Sequence, residues 1–258
     1  MDLDLKGKAV LITGGTDGLG LALAERLVRE GATVAICGRD HDRLDAAVAR
    51  VQEAGGDVLG VSADAARAQE LVQFVQAAVD RWGRIDGVVH NAGRSAAGPL
   101  EQSDDTAWEQ DFELKLMGAL RLTRAALPHL KVRGGSAVFT LAMAAKAPGA
   151  ASGPSSVSRA AGMALMKSLS KELGPLGIRC NAILIGLIES GQWVRAAERS
   201  GQALPDFYAR MAEGAAIPLG RVGRADEFAD LGAFLLSDRS SYLTGAAVNL
   251  DGGLSPAV

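Results

Sequence analysis

The chain has 258 residues, of which 48% are hydrophobic, and its 27 basic and 30 acidic side chains give a formal net charge of −3. This length fits a single α/β domain, and because no block of like charge indicates a nucleic-acid groove or a polybasic patch, we expect a small-molecule partner, no nucleic acid and no membrane. The N-terminus lacks the layout of a signal peptide and no apolar run is long enough to cross a bilayer, which predicts a cytoplasmic protein.

Short apolar runs typical of buried strands alternate with longer segments of helical periodicity. In chain order, starting with a strand and alternating with helices, the predicted elements are Ala9–Ile12, Leu19–Glu30, Thr33–Cys37, Arg43–Ala54, Val58–Val61, Gln69–Trp82, Ile85–His90, Trp108–Leu130, Ala137–Leu141, Ser158–Leu173, Ile178–Ile185, Glu227–Leu235 and Ala247–Leu250. The alternation predicts right-handed βαβ units in a doubly wound, seven-stranded parallel sheet, folded as one domain over residues 1–258. The segment Arg195–Ala216 is an insertion, and we expect residues 190–216 to form a lobe that covers the substrate.

Two kinds of chemistry have no support in the sequence. Cys37 and Cys180 each end an apolar run and belong to no spaced Cys/His set, so we expect reduced core cysteines and no metal site. The histidines, at positions 41, 90 and 129, are scattered and have no nucleophile and carboxylate nearby in sequence. A hydrolytic triad is therefore not predicted.

A glycine-rich turn lies between the first predicted strand and the first predicted helix. Its glycines at positions 14, 18 and 20 would let the backbone approach a pyrophosphate, and the helix N-terminus would offer N–H groups to it. Because the flanking elements are those of the mononucleotide-binding unit of a Rossmann fold, we favour cofactor binding over a purely structural turn. The residues predicted to contact the cofactor here are Gly14, Thr16, Asp17, Gly18, Leu19 and Gly20.

The residue that follows the second strand distinguishes the two nicotinamide cofactors. An acidic group at this place accepts from the ribose hydroxyls, whereas a cation accommodates the 2′-phosphate. Arg39 supplies a cation, and with help from the hydroxyl of Thr16 it predicts NADP(H). The alternative is a surface arginine that pairs with Asp40 or Asp42.

The glycine spacing and two further motifs resemble the short-chain dehydrogenase/reductase family over essentially the whole chain. The motifs are His90-Asn91-Ala92-Gly93 after the fourth strand and Leu243-Thr244-Gly245 with Leu250-Asp251-Gly252-Gly253 near the end. The resemblance implies that Asp64 meets the adenine amino group and that Asn91, Ala92 and Gly93 line the adenosine side. It also implies that the loop containing Gly186, Ile188 and Ser190 contacts the nicotinamide amide, although Ile185 replaces the usual proline before it.

The resemblance also locates the positions at which the family carries its catalytic Tyr, Lys, Ser and Asn. In this chain the four positions are occupied by Ser155, Arg159, Ala142 and Lys115, in that order. The chain has two tyrosines, of which Tyr242 precedes the last strand and Tyr208 lies in the covering lobe. Entry of Tyr208 into the site from above remains an open alternative.

These replacements change the available proton chemistry. A serine hydroxyl is far less acidic than a phenol and a guanidinium stays protonated, so Ser155 and Arg159 can bind but are poor proton relays. Lys115 is the candidate proton donor, because burial beside Arg159 would lower its pKa. The alternatives are that Lys115 extends to solvent or to an acidic neighbour on its helix such as Glu113, and that Ser155 is a hydroxyl at a helix start. For Arg159, the resemblance implies a position that faces the nicotinamide ribose.

Two functions remain open at this point. The first is an NADP(H)-dependent oxidoreductase in which Lys115, Ser155 and Arg159 act on a small carbonyl, enone or imine, with an anionic or enone substrate fitting the two cations better. The second is a cofactor-binding pseudoenzyme or a non-redox enzyme on the same scaffold. The helices at 108–130 and 158–173 carry more apolar positions than a core stripe needs, which predicts a homodimer or homotetramer.

Overall fold

The computed structural model describes residues 2–257, and its centre is a parallel sheet of seven strands in the order β3-β2-β1-β4-β5-β6-β7. The strands are β1 (Ala9–Thr13), β2 (Thr33–Gly38), β3 (Val58–Ser62), β4 (Gly87–His90), β5 (Gly135–Ala142), β6 (Ile178–Ile185) and β7 (Ala247–Leu250). The order reverses between β1 and β4, which confirms the predicted doubly wound fold.

Helices cover both faces of the sheet. They are α1 (Gly18–Arg29), α2 (His41–Glu53), α3 (Ala68–Trp82), α4 (Asp105–Phe112), α5 (Gly118–Leu130), α6 (Ser155–Leu173), α7 (Gly191–Ser200), α8 (Leu204–Gly214) and α9 (Ala225–Leu236). One core cluster contains Phe74 and Phe139, and the other, on the opposite face, contains Ile12 and Phe228. Strands buried on both faces are expected to be continuously apolar, as the first four of the five buried residues of β1 are.

The predicted helix Trp108–Leu130 is wrong as one continuous element. The structure begins it at Asp105 and interrupts it with a π-helical turn at Glu113–Met117 before α5. At the end of this turn Gly118 passes very close to the carbonyl of Ala65, where an added Cβ would lie 2.6 Å from the oxygen. The interruption places Lys115, at the centre of the turn, in the interior.

Two further elements differ in extent from the prediction. The helix predicted from Ser158 begins at Ser155, and the insertion contains two helices, α7 and α8. Among residues 2–257, no helix combines the length and the apolar character that crossing a membrane requires.

Candidate active site

A cleft of about 950 Å³ opens at the carboxyl ends of the strands. Its walls come from the segments that follow β1 to β6 and from the start of α7. Most residues predicted from the sequence to bind cofactor or substrate line this cleft: Gly14, Thr16, Asp17, Gly18, Leu19, Arg39, Asp64, Asn91, Ala92, Gly93, Lys115, Ser155, Arg159, Gly186, Ile188 and Ser190. The structure therefore brings the predicted cofactor-binding residues and the predicted catalytic residues into one continuous cleft.

The glycine-rich turn is supported by hydrogen bonds from Asn91, the residue that follows β4. Gly14 and Gly18 have positive φ angles of 66° and 50°, which side chains disfavour. The Asn91 amide donates to the carbonyls of Thr13 at 3.1 Å and of Gly14 at 3.0 Å, so its Nδ2 supports the turn. Gly20 is not part of the cleft wall, but a Cβ there would lie 2.5 Å from that Nδ2 and would push the turn away from β4.

Asp17 connects the turn to two other elements. One carboxylate oxygen accepts from the backbone N–H of Gly18 at 2.7 Å and caps α1. The other accepts from Arg43 on α2 at 2.7 Å and from Arg195 on α7 at 3.1 Å. The sequence analysis did not identify these arginines, because their convergence depends on the fold and no local pattern signals it.

Arg39 lies at the mouth of the cleft with 72% of its side chain exposed. Its guanidinium is 3.8 Å from a carboxylate oxygen of Asp64, so it pairs neither with Asp40 nor with Asp42. Asp40 instead caps α2, where it accepts from the backbone N–H of Arg43 at 3.1 Å. The alternative in which Arg39 pairs with Asp40 or Asp42 is wrong, and most of the Arg39 side chain is exposed.

The loop after β6 forms the wall of the cleft that lies against Gly18 of the glycine-rich turn. Gly186 passes over Asp251 so closely that a Cβ would lie 2.8 Å from the Cα of that residue. Ser190 lies against Gly18, and its Oγ is buried without a hydrogen-bond partner within residues 2–257. An unpaired buried hydroxyl at a cleft wall is a suitable group for binding a polar ligand.

Lys115 is buried at the cleft wall, with 2% of its side chain exposed. Its ammonium donates to a carboxylate oxygen of Asp111 and, at 2.9 Å, to Oγ of Ser155. Lys115 does not extend to solvent, and Glu113 pairs with Arg121, but the alternative of an acidic neighbour on the same helical segment is met by Asp111. Burial first, and then the charge of Arg159, lower the pKa of Lys115 to about 8, although the hydrogen bond that Lys115 donates to Asp111 opposes the shift.

Asp111 was not identified from the sequence. It lies in the last turn of α4, one helical turn before Lys115, and its side chain is also 2% exposed. Its second carboxylate oxygen accepts from Oγ of Ser158 on α6 at 2.6 Å. The spacing of four residues to Lys115 was the available signal, because residues four apart share one face of a helix.

Ser155 begins α6 but does not cap it. Its Oγ accepts from the backbone N–H of Ala96 at 2.9 Å as well as from Lys115. Because a hydroxyl has one hydrogen and two lone pairs, both lone pairs are used and the hydrogen stays free for the cleft. The alternative of a simple helix-start hydroxyl is therefore wrong.

Arg159 lies one turn into α6, and its guanidinium donates to the carbonyl of Thr140 at the end of β5. It also lies against Gly93, where a Cβ would be 2.7 Å from Nη2. Burial lowers the pKa of Arg159 to about 10, and the charge of Asp111 opposes this shift. Arg159 therefore remains a cation at neutral pH.

Neither of the chain's two tyrosines lines the cleft. Tyr208, on α8, packs against a small cluster that contains Ala212 and Ile217, and its hydroxyl lies beside the backbone of Ser190 at the cleft wall, while Tyr242 is fully exposed before β7. Tyr208 therefore approaches the wall from α8 without entering the cleft. No phenol lines the described cleft, and at its wall the Lys115 ammonium bonds directly to the hydroxyl of Ser155.

Lys146, in the segment after β5, and His90, on β4, are held by hydrogen bonds or close polar contacts of their own. Lys146 donates to the carbonyl of Ala247 at 3.1 Å, and Nε2 of His90 lies 3.0 Å from the hydroxyl of Thr123. Burial lowers the pKa of His90 to about 3, so this imidazole is neutral. Cys37 and Cys180 are free and buried, and burial raises the pKa of both thiols to about 12.

Comparisons with known proteins agree with this architecture. A family model described as enoyl-(acyl carrier protein) reductase matches residues 14–255. A curated relative, the short-chain reductase protein NovJ from Streptomyces niveus, is 32% identical over 243 residues, which is 94% of this chain and 92% of that protein.

Solved structures match over nearly the full length. A short-chain oxidoreductase from Pseudomonas aeruginosa PAO1 containing an atypical catalytic centre is 34% identical in its apo form, with a TM-score of 0.94 over 99% of this chain and 100% of that one. Its NADPH-bound form gives 34% identity and a TM-score of 0.92, over 97% of this chain and 98% of that one. L-Sorbose reductase from Gluconobacter frateurii, complexed with NADPH and L-sorbose, is 30% identical with a TM-score of 0.94, over 100% of both chains. The chain therefore belongs to the short-chain dehydrogenase/reductase family.

Proposed function

We propose that this family member is an NADP(H)-dependent oxidoreductase. It transfers hydride between NADP(H) and a small carbonyl, enone or imine substrate, with Lys115 in place of the usual phenol as proton carrier. The observation that carries the proposal is the buried Lys115 ammonium, which reaches the cleft wall between Asp111 and Ser155.

The cleft suits a dinucleotide on its own geometry. The turn approaches Ala92 closely at Gly14, where a Cβ would lie 2.9 Å from the Cα of Ala92, and its glycines let the backbone come near a pyrophosphate beside the start of α1, whose first N–H is capped by Asp17. Ser190 lies against Gly18 from the other wall, and its buried hydroxyl has no partner within residues 2–257. Both features fit a pyrophosphate that bridges the cleft, and both the P. aeruginosa and G. frateurii relatives bind NADPH in their structures.

The choice of NADP(H) over NAD(H) follows from charge at the mouth of the cleft. Arg39 is exposed there, and its guanidinium is 3.8 Å from Asp64. Because this ion pair is long, the guanidinium can turn away from Asp64 toward a phosphate. Asp17, the other acidic group nearby, is already neutralised by Arg43 and Arg195. We therefore expect NADPH to bind more tightly than NADH.

The proton chemistry is carried by Lys115. Its ammonium has three N–H donors, and two are used by Asp111 and Ser155, which leaves the third for a substrate oxygen in the cleft. A pKa of about 8 is close to the working pH, where an acid is both protonated and able to release its proton. When bound, the nicotinamide supplies the hydride. Lys115 gives one proton to the reduced acceptor and regains it from solvent.

The substrate we favour is anionic. Lys115, Arg159 and Arg94 bring three cations to one end of the cleft, and Asp111 is the carboxylate bonded within that group. A substrate carboxylate would balance this excess of positive charge, whereas a cationic iminium would be repelled. Trp193 lines the same cleft and, as part of the proposed covering lobe at 190–216, would give the substrate an apolar contact.

The alternative is a protein that binds the cofactor without redox turnover. The position of both tyrosines outside the cleft favours it, because loss of a positioned acid typically costs about a hundred- to ten-thousand-fold in rate. The presence of a buried, tuned ammonium at the cleft wall favours the enzyme instead.

The test uses the purified protein. Titrations with NADPH and NADH are followed by turnover assays on ketones, enones and imines, each supplied as a carboxylate and as its neutral amide. We expect NADPH-dependent turnover that favours the carboxylates, and loss of turnover by at least about a hundredfold in the double variant Lys115→Met, Asp111→Asn with NADPH affinity retained. Tight NADPH binding without turnover on any substrate would support the binding protein, and full turnover in the double variant would remove Lys115 from the mechanism.

A homodimer or homotetramer that packs through α5 and α6 is also proposed. Val157 on α6 has 44% of its surface exposed, in keeping with an apolar face on this helix that another subunit would cover. Light scattering on the purified protein measures the assembly, and Val157→Asp is expected to weaken it.

A further inference from the structure

Asp111 does not line the cleft, yet its carboxylate is buried and both of its oxygens are hydrogen-bonded. We infer that Asp111, anchored by Ser158, is a positioning residue that fixes the Lys115 ammonium at the cleft wall and supplies its counter-charge. The inference rests on the proposed function of Lys115 and extends it to two residues that never touch the substrate.

The anchor consists of one short hydrogen bond between two helices. Oγ of Ser158 is 2.6 Å from Asp111 and 3.1 Å from the carbonyl of Ser155, and it has a single hydrogen to donate. The charged and nearer acceptor is the stronger one, so that hydrogen goes to the carboxylate. Asp111, which α4 carries, is thereby tied to α6.

Lys115 is in this way held between two fixed acceptors. A lysine side chain is a flexible four-carbon stem that loses rotamer freedom when it is fixed, so a defined position for its ammonium requires anchors. Asp111 provides one through α6, and Ser155 provides the other because its oxygen is itself held by the backbone of Ala96. The third N–H then has one direction left, toward the cleft.

The charges that surround Lys115 show why the counter-charge matters. Arg159 on α6 and Arg94 in the loop after β4 both lower its pKa, and Asp111 on α4 raises it. His90 on β4 shares with Lys115 a cavity of about 10 Å³ and is neutral at working pH. Without the Asp111 charge, the remaining neighbours are cations, and the ammonium would lose its proton at lower pH.

The first experiment measures Lys115 directly, in the protein without cofactor. A ¹³C NMR titration of the lysine ε-carbons gives the pKa, with the Lys115 signal assigned as the one absent from Lys115→Arg. In Asp111→Asn we expect the midpoint to fall by about one pH unit or more, because a buried partner charge is lost. Glu113→Gln is the matched control, because it removes a nearby carboxylate that bonds Arg121 rather than Lys115. The Lys115 midpoint should stay in place in this variant. An unchanged midpoint in Asp111→Asn would overturn the inference.

The second experiment distinguishes a failure of the positioning role from a failure of the proposed proton transfer by Lys115. Ser158→Ala keeps the Asp111 charge and frees it from α6, so kcat should fall by about ten- to a hundred-fold while KM changes little. An unchanged kcat in this variant, beside a Lys115→Arg enzyme that has lost turnover, would refute the positioning of Lys115 by α6. If Lys115→Arg keeps full turnover while Asp111→Asn still moves the NMR midpoint, the proposed proton transfer fails and the pairing stands. Ser158→Ala also serves as the variant for kinetics if Asp111→Asn does not fold.

Discussion

The buried pair of Lys115 and Asp111 makes a definite prediction for stability. Lys115→Met leaves the Asp111 carboxylate buried with Ser158 as its remaining partner, and removing one member of a buried pair typically costs about 3–5 kcal/mol. Asp111→Asn should cost less, because the ammonium can escape its penalty by releasing a proton. Starting from the wild-type pair, in which the pKa of Lys115 is about 8, that release costs about 1.4 kcal/mol at pH 7, and this sets the scale of the loss.

The double variant Lys115→Met, Asp111→Asn should recover most of this loss, because it contains no unpaired buried charge and the new amide still bonds Ser158. We expect a coupling free energy of about 3 kcal/mol between the two positions. The assay is urea unfolding at pH 7 without cofactor, followed by circular dichroism. The exposed pair of Arg224 and Asp226 serves as the control cycle, with a coupling below about 1 kcal/mol expected. Additive costs at positions 111 and 115, within about 0.5 kcal/mol, would refute the pairing.

Three further predictions concern separate parts of the molecule. Gly20→Ala should weaken NADPH binding at least about tenfold, because a Cβ there displaces the glycine-rich turn, whereas Gly214→Ala at an open helix end should bind normally. Arg39→Ala should weaken NADPH by about ten- to a hundred-fold and leave NADH binding nearly unchanged in fluorescence titrations, and equal losses for both cofactors would contradict the assignment. The folded state keeps His90 neutral to about pH 3 while the unfolded chain protonates near 6.5, so stability should fall as pH drops through this window by up to about 1.4 kcal/mol per unit. His90→Asn should flatten that loss in urea titrations, and the exposed His41→Asn should not.

The sheet could be predicted from the sequence because its strands are short, mostly apolar runs, and the central β1 and β4 are buried along their whole length. β6 and β7 have the predicted bounds, Ile178–Ile185 and Ala247–Leu250. The predicted start of β4 at Ile85 is two residues early. Asp86 uses its side chain and its carbonyl to bond Ala9 and Ser136, and this junction precedes the regular ladder.

The π-helical turn could not be predicted, because one inserted residue leaves helical periodicity intact on either side of it. The same limit applied to Asp111. An acidic residue on an amphipathic helix is normally solvated, and what buries this one is Ser158, a residue 47 positions away in sequence. Glu113 was the wrong partner to consider for Lys115, since residues two apart do not share a helical face.

The five-residue turn at Glu113–Met117 also bears on how this site could be gained or lost. Because such a turn differs from a regular helix by a single residue, a one-residue deletion within it would let α4 continue smoothly into α5 with the outer packing of both segments preserved. The same deletion would swing position 115 by about 100° around the helix axis, away from its two acceptors. We therefore expect a one-codon deletion to remove the Lys115 ammonium from the cleft wall while the helices on either side stay packed.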